Sequence, residues 1–174
     1  MGRPLPAAAT LAEAMAEPQD DGFESFWFRE HAAVLALAAG LTGDWGVAED
    51  LTQDAFSAAH RQWADIDTPS AWVRRVVANR AASHWRRRGR ETAALVRLAA
   101  RPSPVALTAE YDEFWRTVRA LPRRQAQVVA LRYLDDRSLA EIAEVLGIAE
   151  GTVKATLSHA HAALARSLSL EEES

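Results

Sequence analysis

Apolar residues recur along the chain at intervals of three and four, the period of one helix face. Phe23, Trp27, Val34, Ala38 and Leu41 make a first stripe, which Gly40 and Gly43 are expected to break. Asp44 then caps a second predicted helix reaching about Trp63, and residues 65–70 form a loop. Thr68-Pro69 opens a third helix, because proline in the first turn gives up only an N–H that lacks a helical partner. It turns Trp72, Val73, Val76 and Val77 inward and Arg74, Arg75, Arg80 and Arg86 to Arg88 outward, with Gly89 as its expected end. Pro102 and Pro104 mark a boundary, since neither proline nor the residue before it favours helix.

A second helical set follows. Tyr111, Phe114, Trp115, Val118 and Leu121 share one face, stopped by Pro122, and a helix over residues 123–134 ends at Asp135-Asp136. Ser138 and Glu141 have the spacing of a capping box, in which each side chain satisfies an exposed backbone N–H. That short helix carries Leu139, Ile142, Ala143 and Leu146 and stops at Gly147; a last helix spans about residues 150–168. The expected fold is all-α: two small helical domains joined by a linker, the C-terminal one a helix-turn-helix. The expected boundaries are a disordered leader at 1–20, a first domain at 21–90, a linker at 91–108 and a second domain at 109–170.

Charge adds a division that the apolar pattern does not show. Up to Pro69 there are three arginines, Arg3, Arg29 and Arg61, among many acids. Residues 74–101 then hold nine arginines opposed by Glu91 alone. An acidic stretch beside a basic belt points to two partners of different charge. The chain has no cysteine, which excludes disulfides, thiolate metal sites and a cysteine nucleophile. No apolar run is long enough to span a bilayer and no signal peptide is recognisable, so a cytoplasmic protein without membrane insertion is expected.

Three groups of residues carry candidate chemistry. Residues 138–164 read as a helix-turn-helix, whose second helix fits the DNA major groove and presents base-facing side chains. Asn79, Arg80 and Ser83, at helical spacing within the arginine-rich third helix, can face a nucleic acid together. Glu49, Asp50, Gln53 and Asp54 form an acidic face on the second helix, with no histidine or glycine-rich loop close in sequence to make it a metal or acid–base site. His159 and His161 are two residues apart and point to different sides of a helix, so they are poor co-ligands for one ion. No catalytic residue, cofactor or metal is expected.

The stretch from Ala48 to Phe56, AEDLTQDAF, resembles the core-polymerase-binding helix of extracytoplasmic-function sigma factors of the sigma-70 family. Residues 71–80, AWVRRVVANR, leading to Arg86-Arg87-Arg88, resemble their minus-ten promoter helix. Residues 121–134 and 138–164 resemble their minus-thirty-five domain, and the resemblance runs in order over residues 23–168. It implies a factor that binds core RNA polymerase, directs it to promoter DNA and assists strand opening, without being an enzyme. It also implies regulation by an anti-sigma factor. Position by position, Glu49, Asp50, Gln53 and Asp54 would contact polymerase. Arg75, Asn79, Arg80, Ser83, Arg86 and Arg87 would face the opened minus-ten strand, and residues 64–70 would capture a flipped base. Thr152, Lys154, Thr156, Ser158 and His159 would lie on the recognition helix.

The chain departs from the family where Ala149 replaces the usual helix-capping serine, and where Thr156, His159 and His161 stand at positions often held by arginine. Three rival readings follow from subsets of the residues. A regulator that binds DNA without polymerase explains residues 138–164, and an adaptor for a protein partner explains the helical domains. An enzyme using Asp50 and Asp54 would show metal-dependent turnover abolished by Asp54→Asn. Histidine on the recognition helix predicts promoter binding that changes between pH 6 and 8. A flat titration across that range would remove histidine from the contact.

Overall fold

The structure, a computed structural model, describes residues 22–88 and 109–172. The expected leader, the linker and the helix end at Gly89 lie outside the described residues. Within them are seven α-helices: α1 Phe23–Thr42, α2 Trp45–Arg61, α3 Pro69–Arg88, α4 Ala109–Ala120, α5 Arg123–Tyr133, α6 Leu139–Leu146 and α7 Glu150–Glu172. A 3-10 turn at Trp63–Asp65 joins α2 to the loop before α3, and there is no strand among the described residues.

The helix ends follow from local chemistry. Asp44 stands in extended backbone and its side chain accepts from the Val47 N–H, starting α2. Ser138 and Glu141 form the expected box: the Ser138 N–H donates to Glu141 Oε2 at 2.8 Å and the Glu141 N–H donates to Ser138 Oγ at 3.2 Å. Gly147, at φ +64°, closes α6, and the Ile148 N–H reaches back to the Ala143 carbonyl as in a Schellman motif. Gly43, at φ +66°, likewise ends α1.

Gly40 does not break α1; it lies inside the helix. Its role is steric, because a Cβ there would overlap Leu134 Cδ1, which comes from the end of α5.

Phe26, Val34, Ala38, Ala48, Ala55, Phe56, Val73 and Val77 build a core among α1, α2 and α3. A second core takes Trp115, Val118, Leu131, Ile142, Val153 and Leu164 from α4 to α7. It also takes Leu37 and Leu41 from α1 and Ala71, Ala78 and Ala81 from α3. The two helical sets therefore share apolar surface, and α3 lies between them.

Arg74 departs from the expected outward arginine face. It is fully buried, whereas Arg75 beside it is exposed. One residue of difference on a helix is a rotation of about 100°, enough to move a side chain from the solvent face to the seam.

Hydrogen bonds from the Ser138 backbone and side chain hold the Glu141 carboxyl down at about 2. A depressed carboxyl stabilises the fold above its unfolded value, near 4.5, and the contribution disappears as pH falls through about 2. Glu141→Ala should therefore cost about 1 kcal/mol at pH 7. In thermal unfolding, the gap to the parent chain should close between pH 4.5 and 2.

Candidate nucleic-acid interface

The acidic face lies on α2. Glu49, Asp50, Gln53 and Asp54 are all exposed, while Ala48, Thr52, Ala55 and Phe56 anchor the opposite side of the helix. Trp45 Nε1 donates to Glu49 Oε1 at 3.0 Å, orienting that carboxylate along the helix. Asp54 meets Arg80 Nη1 at 2.9 Å, which brings the acidic group to the edge of the basic one. Both side chains are largely exposed, so this pair contributes little to stability.

The basic group lies on α3, and most of its described members are already engaged. Arg75 Nε donates to the Val145 carbonyl at 2.8 Å and Nη2 to the Glu144 carbonyl at 2.6 Å. These are among the last carbonyls of α6, which lack helical donors and lie at the negative end of its dipole. Asn79 Oδ1 accepts from Arg123 Nη2, and Gln127 Nε2 donates to the Ala78 carbonyl at 2.9 Å. Ser83, Arg86 and Arg87 lie on the last turns of α3, with side chains outside the described residues.

Beside these residues, Arg74 ties the helical sets together. Its Nη2 donates to Asp135 Oδ1 at 2.9 Å, and its Nε donates to Asp135 Oδ2. Nη1 contacts Glu30 Oε2 at 2.8 Å and Ser70 Oγ at 2.7 Å. Burial works against the Arg74 charge, but the bonds to Asp135 and Glu30 prevail and raise its pKa. Burial likewise opposes the Glu30 carboxylate, yet Arg74 and Arg29 hold it below its usual range. Arg137 completes the group with bonds to Asp135 and Glu141. A cleft of about 540 Å³ is lined by Arg74 and Arg137 of this group together with Phe26, Trp63, Thr68, Glu144 and Val145. Part of the loop over residues 64–70 lines that cleft.

The helix expected to carry the DNA-reading residues is α7. Val153, Ala160 and Leu164 face inward. Thr152, Lys154, Ser158 and His159 are exposed, and Thr156 is half-buried. Ala149 precedes α7 without a capping side chain; its carbonyl accepts from the Thr152 and Val153 N–H groups. His161 Nε2 is 2.8 Å from Tyr133 Oη at the rim of the helix. The described residues hold no cluster of histidine and carboxylate that would ligate a metal.

The family model for Sigma-70 region 2 matches residues 27–91, and that for Sigma-70 region 4 matches residues 111–164. The RNA polymerase sigma-E factor of Streptomyces coelicolor is 33% identical over 149 residues, covering 83% of this chain and 82% of that protein. The ECF RNA polymerase sigma factor SigM of Mycobacterium tuberculosis is 36% identical over 151 residues, covering 81% of this chain and 74% of that one. The chain belongs to the extracytoplasmic-function sigma factors of the sigma-70 family.

Among solved structures, this sigma factor is similar to RpoE of Bartonella quintana in its complex with the anti-sigma factor NepR. The TM-score is 0.64 at 25% identity, over 84% of this chain and 96% of that one. It shares its fold with CnrH, solved with the cytosolic domain of CnrY, at TM-score 0.67 and 24% identity over 92% of this chain and 96% of that one. No helix among the described residues is long and apolar enough to cross a membrane.

Three residues of the sigma factor's seam were not foreseen from sequence: the buried Arg74, its partner Asp135 and the interface glycine Gly40. Asp135 reads only as a helix stop, and nothing near Arg74 in sequence marks its partner, 61 residues away. Removing one partner of a buried pair strands the other charge, at about 3–5 kcal/mol, whereas apolar replacement of both is close to neutral. In chemical denaturation, Asp135→Ala should lose up to about that much. Arg74→Met with Asp135→Leu should lie nearer the parent chain than either single change.

Proposed function

We propose that Glu49, Asp50, Gln53 and Asp54 form the face by which this sigma factor docks on core RNA polymerase. Their common exposure on one side of a well-anchored helix is the observation that carries this reading. Exposed carboxylates on one helix face can meet a basic partner surface. Arg75, Asn79 and Arg80 then face the opened minus-ten strand, with Ser83, Arg86 and Arg87 continuing the same helix. Guanidinium groups bind phosphates along a strand, and Asn79 offers donor and acceptor to a base edge. Residues 64–70 receive a flipped base beside Trp63 and Phe26, and a protein pocket for the base helps meet the few kcal/mol that unstacking takes.

Thr152, Lys154, Thr156, Ser158 and His159 contact the minus-thirty-five duplex from α7. With Lys154 the only lysine or arginine among these five, few phosphates are neutralised there, so this contact has a shallow salt dependence. The chain supplies binding and strand opening; bond formation in RNA belongs to the polymerase. The working compartment is the cytoplasm, where polymerase and promoter are, and an anti-sigma factor is the partner that restrains it.

Run-off transcription with bacterial core polymerase on a genomic promoter library tests the reading. Promoter-specific transcripts are expected with the parent chain, and at least a tenfold loss with Asp50→Lys and Asp54→Lys together. Transcripts that persist with both charges reversed would move the docking face elsewhere. No transcripts, with tight operator binding by the free chain, would favour a regulator that works without polymerase.

A further inference from the structure

Residues 152–154 and 159–161 repeat one pattern along α7. In each, a buried residue, Val153 or Ala160, is flanked by two exposed ones. Neighbours on a helix are turned about 100° apart, so Thr152 and His159 line one edge of α7 and Lys154 and His161 the other. A helix seated in the major groove has a phosphate strand along each side. The five residues proposed to contact the minus-thirty-five duplex include both members of the first edge but only Lys154 of the second. His161 stands two turns beyond Lys154, about 10 Å along the axis, where the same strand continues.

Another side chain meets His161 there. Tyr133, the last residue of α5, has its Oη 2.8 Å from His161 Nε2, with the ring centroids 5.9 Å apart. Tyr133 is 54% exposed despite its large ring, although the buried run Val128 to Leu131 fixes α5 just before it. A hydrogen bond between two water-accessible groups adds little to stability, because water serves either group nearly as well. Stability of the fold therefore does not account for the pair. We infer that Tyr133 and His161 form a phosphate contact on the minus-thirty-five duplex, in which Tyr133 touches the DNA and His161 positions it. The inference rests on α7 being the DNA-reading helix, as proposed above, and adds a contact from outside that helix.

The hydrogen-bonding chemistry is complete without a charge on either side chain. A phenol has one hydrogen to give and lone pairs with which to accept. An imidazole Nε2–H donates to Oη, which fixes the hydroxyl and leaves its hydrogen for an acceptor outside. A phosphate oxygen only accepts, and its charge strengthens the bond. This contact differs from that of Lys154 in one measurable respect. Lysine neutralises a phosphate and displaces its counterion, whereas an uncharged hydroxyl holds a phosphate without doing so. Tyr133 thus adds affinity without steepening the salt dependence.

The test uses holoenzyme assembled from the full chain and bacterial core polymerase, on a promoter recovered by run-off. Promoter binding is measured against salt, and methylphosphonates replace the phosphates of the minus-thirty-five duplex one at a time. Tyr133→Phe keeps the ring and removes only the hydroxyl; it should weaken binding about tenfold with the salt slope unchanged. Lys154→Ala should instead flatten that slope by about one. At one phosphate the neutral replacement should weaken the parent but not Tyr133→Phe. His161→Leu should weaken binding as much as Tyr133→Phe, and the two together no more than either alone. His161→Gln, which keeps a side-chain N–H donor, should stay near the parent.

Parent-like binding by Tyr133→Phe would overturn the inference. So would additive losses at the two residues, since they would then be separate contacts. When either result comes with a flattened slope for Lys154→Ala, the Tyr133 contact alone falls. When Lys154→Ala also binds like the parent with an unchanged slope, α7 is not the DNA-reading helix and the functional reading falls with it.

Discussion

The arrangement of this molecule depends on a single arginine side chain held away from water. Arg74 contributes a planar fork of donors, and Asp135, Glu30 and Ser70 surround it with acceptors from three separate segments. An isolated buried guanidinium would be prohibitive, so the acceptors must be present together or the seam does not close. That requirement fixes α3 against the loop after α5 and against α1 at once. It specifies geometry more than it adds stability, because apolar groups of similar shape would hold two surfaces together as well or better.

From that fixed point the roles of neighbouring residues follow by helix geometry. Val73 and Val77 turn toward the first core, Ala71, Ala78 and Ala81 toward the second, and Arg75 and Asn79 toward α6 and α5. A helix packed on two sides has only a narrow remaining face for other work. On α3, part of that face is taken up by the C-terminal set, while α2 and α7 each keep one full side for solvent.

The helices and their ends were legible because their causes are local. Asp44, the Ser138–Glu141 box and Gly147 each act on backbone within a few residues, and the chain order shows them directly. The candidate faces on α2 and α7 were legible for the same reason, since exposed polar positions at helical spacing need no knowledge of the rest of the fold. Arg74 and Gly40 were not. An arginine in a row of arginines reads as solvated, and a glycine after a run of alanine reads as a stop. In each case the deciding partner, Asp135 or Leu134, comes from the far half of the chain. The family match places both halves in one sigma factor, but it does not say which side chains meet.

Gly40 and Leu134 have a further consequence for how the two halves can be arranged. A smooth apolar seam tolerates sliding, because one aliphatic contact replaces another with little change in energy. Here a branched side chain sits in a notch one residue wide, and arginines from both halves engage carbonyls of the other. The joint is keyed: neither half can creep along the other by a helical turn without withdrawing Leu134 first. Separation is therefore a step between two distinct geometries rather than a gradual shear, and the closed form has one register.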